Sequence, residues 1–591
     1  MSFYPKLLLA CLLATLPHTL LGQSALWNAH QSDTVRWRQW NEETLQAAKK
    51  AELPLFFFVG HYGNSLARSM LHETFQNETI ASTLNDTAIP VLVDTNESPE
   101  LAAFLGQLAF QHFSANELPT CLWTDVNLAP LNGGGYFPPT DDWGGQGFLS
   151  VARNVSEQWQ ANREDYLAPA QGRLKKSLAT QPLSSSQLGA LPNAFPIETF
   201  AAKEAPSLSA VKLYNTARHA RTLSQSAAQS QLEALHGFVE RVSRGAGFDS
   251  VDGGFFIGSN DTGWRLPLFQ KSTSDQAYLL LALSELQEQD PKPEYRFLME
   301  LTADFVRQKL LKENGLALQY LDSFASGETP DMVEGSYYLI AGQQVETLSS
   351  EAAAAWGLST SGNLDEDTDI LGIYQGFNVP FAHSPETLSD QLASERDELR
   401  ELRSQKKFPL SDPSGYTATN ALLVRALLRA AQATRENAFG ETAQKLFENL
   451  LQANGQLSDK VLYNSDHRRV QATSHDYSQL LSACLDLHEH TGDPQFLDTA
   501  TKILKTLQAD SRFQSETLGR DIGIEGLRTA IYQDAALESP LALQLENLKR
   551  LEKLSPEILR AALSGLPRTW VEHPASLQSL VQFASQQAAE R

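Results

Sequence analysis

The segment Gly60-His61-Tyr62-Gly63-Asn64-Ser65-Leu66-Ala67-Arg68 lies where redox chemistry could be built. An apolar run, Leu55–Val59, reads as a buried strand before it, and Leu71–Phe75 reads as a helix after it. A Cys-x-x-Cys pair at such a junction performs thiol–disulfide exchange, because the helix N-terminus lowers the pKa of the first thiol. Here the two positions hold Asn64 and Ala67, and neither supplies a thiolate. Ser65 reads as a helix cap, since no base stands beside it in sequence. No thiol–disulfide oxidoreductase activity is expected.

The elements around this junction form an α/β unit over residues 26–168. Helices at Asn41–Lys50 and Asn77–Leu84 alternate with strands at Leu55–Val59, Ala88–Asp94 and Pro119–Trp123, a pattern that favours a central covered sheet. Residues 169–206 turn rich in Ser, Pro, Gln and Ala and read as a linker. From residue 207 to 591 helical periodicity dominates, with ten or more predicted helices from Leu208–Ala220 to Pro556–Leu563. One helical hairpin cannot bury its apolar face alone; six closed into a ring can, and such a ring leaves a funnel on its axis.

Bulk properties narrow the class. A chain of 591 residues with 42% hydrophobic and 20% charged residues folds as two or more domains. A formal charge of −23 without a basic run argues against nucleic acid as a partner. Residues 1–25, with Lys6 ahead of the apolar run Leu7–Leu16, read as a secretory signal peptide, so a secreted or periplasmic location is expected. No later segment reads as a stable membrane span. Beyond that leader only Cys121 and Cys484 remain, and both read as buried hydrophobes. No metal or cofactor is expected, because no Cys/His cluster has zinc spacing.

Several motifs then fall in order along the chain: Trp37-Arg38-Gln39-Trp40-Asn41-Glu42-Glu43, Val93–Glu100 and Gly134–Pro139, followed by Gly253–Phe256, Trp264–Lys271, Asp275-Gln276-Ala277, Glu334–Tyr338, Thr417–Asn420 and Asp476-Tyr477. Together they resemble the thioredoxin-domain proteins related to spermatogenesis-associated protein 20. The resemblance implies an α/β thioredoxin-like domain followed by an all-α (α/α)6 toroid of the six-hairpin, glycosidase-like kind. It also implies that Pro119 lies in a cis-proline loop able to meet an extended peptide. Departures mark a divergent, non-catalytic member. The family's Cys-x-x-Cys-His is replaced at Asn64–Arg68, its signature His and Glu by Leu268 and Gln270, and a second acid after Asp322 by Phe324.

The toroid resembles glycosidase and sugar-epimerase folds, whose axial pockets hold sugars on carboxylates and stacked aromatics. Glycoside hydrolysis needs two carboxyl groups facing across the pocket. Asp275, Glu334 and Asp476 are the catalytic candidates, with Trp264, Asp322, Tyr337, Asp412, Asn420 and Tyr477 as ligand-binding candidates. Epimerase-like chemistry would want a His acid or base, a version that Leu268 weakens. The expectation is an exported protein whose axial pocket binds a small polar ligand, carbohydrate first. A glycoside-processing or epimerase-like enzyme, or a folding or assembly partner binding an exported protein or peptide, is the alternative.

Overall fold

A computed structural model describes residues 24–591 except 144, 192–193, 198–199, 201–206, 326–333, 458–460, 468–469 and 590–591. The expected signal peptide therefore lies almost wholly outside the described residues.

The amino-terminal domain is built on a four-stranded sheet in the order β2-β1-β3-β4, with β1 at Leu55–Gly60, β2 at Ile89–Asp94, β3 at Thr120–Thr124 and β4 at Pro130–Gly134. Strand β1 runs parallel to β2 and antiparallel to β3. Every β1 residue is buried, as the unbroken Leu-Phe-Phe-Phe-Val run requires of a strand covered on both faces. The covering helices are Glu42–Ala51, Glu78–Thr87, Pro99–Phe113 and Phe148–Ala161. Asn41 caps the first of these through Thr44 N (2.9 Å), and its acids and lysines sit at the ends that the macrodipole favours. This is a thioredoxin-like domain.

The second domain is an (α/α)6 toroid. Six inner helices, α1 (Ala210–Ala220), α2 (Thr273–Gln289), α3 (Thr417–Thr434), α4 (Ser474–Thr491), α5 (Pro540–Arg550) and α6 (Gln578–Ala589), pack each on the next, and α6 returns to α1 to close the ring. Helices Gln225–Arg244, Pro293–Phe305, Asn437–Ala453 and Pro494–Ala509 pair with α1 to α4 on the outside. Helix α3 is buried on almost every side, which its Ala- and Leu-rich sequence allows. No helix among the described residues is long and apolar enough to cross a membrane.

The stretch expected as a linker carries helices. Arg163–Ser177 runs through Pro169, where a linker is expected to begin, and Arg173 ties that helix to the carbonyls of Pro130 (2.9 Å) and Leu131 (3.2 Å). Ser185–Gly189 then packs against α6 and covers its outer face. A further helix spans Ala393–Ser404.

Candidate ligand-binding site

The segment Gly60–Arg68 faces the toroid. Asn64 caps the helix Ser65–Ser69 by accepting from Ala67 N at 2.7 Å, so the helix end that would polarise a thiol is occupied by an amide. Ala67 is fully buried. Across the domain boundary His61 stacks on Tyr320, with ring centroids 4.7 Å apart and planes 7° from parallel. A Cβ on Gly63 would stand 2.7 Å from Tyr320 Cγ, so only glycine permits this approach. Arg68 forms an ion pair with Asp322 and lies 5.3 Å from the centre of the Phe324 ring. Residues 61–68 of the first domain and 320–324 of the toroid therefore meet each other.

Other contacts extend this interface. Glu100, 1% exposed, accepts from Ser474 N (2.8 Å) and pairs with Arg520 (2.7 Å). Trp40 Nε1 donates to the Ile522 carbonyl at 2.7 Å. Burial alone would raise the Glu100 carboxyl; Arg520 and the Ser474 donors reverse that and hold it below the usual range.

Between the domains lie two adjoining chambers, of about 750 and 280 Å³, that share His61, Ser274, Tyr320 and Gln533 in their walls. The thioredoxin-like side contributes Asn64 and the Asn116–Leu118 loop to the larger chamber, and Thr95 and Asn96 to the smaller. The toroid side presents the amino-terminal ends of its inner helices, among them Ala210, Ser274, Ala418 and His475. Positive helix ends converge there, and carboxylates answer them. Asp275 sits in the first turn of α2 and accepts from Ser272 Oγ at 2.5 Å. Asp534 accepts from Ser539 N (2.8 Å) and Ser579 N (2.9 Å), bridging the starts of α5 and α6.

Of the three catalytic candidates only Asp275 lines the cavity. Asp476 is spent on structure: Oδ1 accepts from Ala418 N (2.8 Å), and Oδ2 from Thr473 N (2.8 Å), Thr473 Oγ1 (2.8 Å) and Asn464 Nδ2 (3.0 Å). Glu334 stands near Arg68 and Ser323, and burial raises its carboxyl above the usual range. The structure thus does not assemble a two-carboxylate site from these three.

The binding candidates divide in the same way. Asp322 serves the domain interface. Trp264, 2% exposed, packs against Phe238 in the toroid core. Tyr337 donates to Asp252 (3.0 Å) and Tyr477 to Asp510 (3.1 Å), both away from the cavity lining. Asn420 accepts from Ala317 N (2.7 Å) and donates to the Ala317 and Tyr416 carbonyls, which locks the start of α3. Asp412 is fully buried beside Ser414, with burial raising its carboxyl. Pro119 follows a cis peptide bond; its loop faces the interdomain cavity, so a peptide reaching it would have to enter between the domains.

Sequence reasoning missed Asn464, Tyr320, Gln533 and Asp534, all of which line the chambers. Gln270, identified only as a departure, also lines the larger one. The one available signal was Asp534, an acid shortly before the Ser539-Pro540 helix start.

Burial raises Asp275 to about 6 from 3.8. The folded state then holds a proton that the unfolded state releases, so stability falls as pH rises across that window. Asp275→Asn is expected to flatten this slope and to melt higher than the parent at pH 7. Melting curves from pH 3.5 to 7 check this, and parallel profiles for the two proteins would overturn it.

The chain is similar to several known proteins. Residues 19–179 match the family model Thioredox_DsbH, described as a protein of unknown function, DUF255. Human spermatogenesis-associated protein 20 is 25% identical over 588 residues, covering 88% of this chain and 74% of that protein. An uncharacterized protein of Caenorhabditis elegans is 24% identical over 591 residues, covering 88% and 78%. Among solved structures, an unsaturated glucuronyl hydrolase from Bacillus sp. GL1 covers 70% of this chain and 85% of its own, at 14% identity and a TM-score of 0.32. A glycoside hydrolase family 76 mannosidase from Bacteroides thetaiotaomicron covers 70% and 89%, at 10% identity and a TM-score of 0.36. With a thioredoxin-like domain that matches the DUF255 model joined to a helical toroid, the chain is similar over most of its length to spermatogenesis-associated protein 20, and its own sequence holds no Cys-x-x-Cys.

Proposed function

We propose that this is an exported binding protein that holds a small, neutral, polyhydroxylated ligand, carbohydrate first, in the cavity between its domains, with little or no turnover. The observation that carries this reading is that three residues of the cavity wall, His61, Gln270 and Asn464, each hold a buried polar atom (Nδ1, Nε2 and Oδ1) with no hydrogen-bond partner among the described residues. The Asn464 amide cannot be turned to relieve this. Its Nδ2 already donates to Asn96 O (3.1 Å) and Asp476 Oδ2 (3.0 Å), which fixes Oδ1 as the free acceptor. Each buried unpaired group costs about 1–3 kcal/mol, which a ligand hydroxyl can recover. Burial keeps His61 neutral by lowering it to about 4, so it offers one donor and one acceptor to such a ligand.

Export rests on the sequence of residues 1–25.

The test is a thermal-shift series of the full mature chain against neutral mono- to tetrasaccharides, with uronates alongside. A ligand that binds only the native state raises its melting temperature in proportion to ln(1 + [L]/Kd). The expected result is a rise with neutral sugars that shrinks in Gln270→Ala; a flat response across the panel overturns the reading. An enzyme alternative rests on Asp275, whose carboxyl is poised for general-acid work. Product formation from the same sugars, lost in Asp275→Asn, would favour it.

A further inference from the structure

Ile370 and Leu371 are 83% and 82% exposed, with Ile373 beside them at 49%, the most exposed large apolar side chains among the described residues. Single exposed apolar residues are ordinary; three on one turn are not. The turn is also held rigidly. Asp365 Oδ1 accepts from Thr368 N (2.9 Å), and the Asp369 carboxylate accepts from Ile373 N (2.9 Å) and Tyr374 N (2.7 Å). The Asp369 carbonyl accepts from Gly372 N (2.9 Å), and Gly372 adopts the left-handed φ of +65° that closes the turn. Buried Tyr374, with its ring centre 6.2 Å from that of Phe269, anchors the turn in the toroid. Fixing the tip in this way removes ordering entropy that a partner would otherwise have to overcome.

The tip has an acidic collar. Asp365, Glu366 and Asp367 are all exposed, and the Thr368 hydrogen bonds hold Asp365 below the usual carboxylate range, so it stays charged. An anionic lipid surface would repel this collar, and a second copy of a chain carrying −23 is a poor match for it. A basic protein surface suits it.

We propose that the turn from Asp365 to Ile373 is a docking knob for a partner protein that presents an apolar cleft rimmed by Lys and Arg. The apolar tip supplies the desolvated contact, and the collar orients the approach.

The experiment places a benzophenone photo-crosslinker at Leu371 in the full chain in its native cells, with Leu497, 37% exposed, as the control site. The crosslinked protein is identified by mass spectrometry, purified and titrated against the unmodified chain. The expected adduct lies on an apolar segment flanked by Lys or Arg. Ile370→Asp with Leu371→Asp should weaken the purified interaction about 30-fold or more, the scale of a hot-spot loss. Asp365→Lys with Glu366→Lys should weaken it about tenfold, as should raising salt from about 0.05 to 0.5 M. These side chains face solvent, so unchanged melting temperatures verify that the variants fold. Labelling of lipid or of a second copy, no adduct above the Leu497 control, or affinity indifferent to both pairs of substitutions would each overturn the proposal.

Discussion

Asp249→Ala is expected to leave the toroid unfolded, or to lower its melting temperature by more than about 10 °C. The Asp249 carboxylate sits at the centre of a fully buried charge cluster. Lys271 Nζ donates to it at 2.7 Å, and Arg403 Nη1 donates to both oxygens at 2.9 Å. Lys271 is 0% exposed and Arg403 2%. Burial alone would raise the Asp249 carboxyl, yet the two cations hold it well below the usual range. Its folded pKa thus lies below its unfolded one, so this stabilisation is present above about pH 4 and fades as pH falls through the folded value. Removing the acid strands a buried ammonium and shortens the partner set of a buried guanidinium. Breaking one buried pair costs about 3–5 kcal/mol, a large part of the 5–15 kcal/mol that holds a domain together. The Lys271 ammonium also lies 4.3 Å from the Phe305 ring centre and 4.7 Å from that of Phe256, contacts too weak to replace a carboxylate. Soluble yield, near-ultraviolet circular dichroism and calorimetry read the effect. A melting temperature within about 2 °C of the parent would show that the cluster is dispensable.

This cluster shows what a sequence can and cannot disclose. Lys271 and the Gly253-Gly254-Phe255-Phe256 motif are adjacent in the family pattern, but Arg403 arrives from a helix more than a hundred residues later. Helix α3 spans Thr417–Thr434, where a long run of apolar residues at helical spacing has one solution. Helix α6 was not predicted, although Leu580, Val581, Phe583 and Ala584 face the core. Its Gln- and Ser-rich sequence acquires a buried face from contacts with α1, α5 and Ser185–Gly189, the last made across almost four hundred residues.

The site was legible in type rather than in membership. Asp275 and Asp476 occupy equivalent places, each in the first turn of an inner helix behind a hydroxyl cap. One reaches the cavity and the other braces α3 because Ala418 N and Asn464 converge on Asp476 alone. No local pattern distinguishes the two. The same holds for Tyr320, whose role follows from the His61 ring placed on it by another domain.

Arg68→Ala is expected to uncouple the domains and to blunt ligand binding at once. Asp322 is 2% exposed and loses its cation, while Arg68 itself is 20% exposed, so the cost should sit near the lower end of the 3–5 kcal/mol typical of a broken buried pair. Arg68→Lys should recover only part of this, since an ammonium lacks the planar fork and lies less well against Phe324. Joining Arg68→Ala to Asp322→Leu removes the stranded charge and should restore stability relative to Arg68→Ala alone. Because His61, Gly63 and Asn64 line the larger chamber and belong to the same segment, the sugar-dependent thermal shift should shrink in Arg68→Ala and stay small in the double variant. Stability and binding then separate: the double variant regains the first without the second. Calorimetry of the four proteins of the cycle, with and without sugar, measures both quantities. A coupling energy below about 0.5 kcal/mol would mean that Arg68 and Asp322 act independently and that the Gly60–Arg68 segment does not hold the domains together.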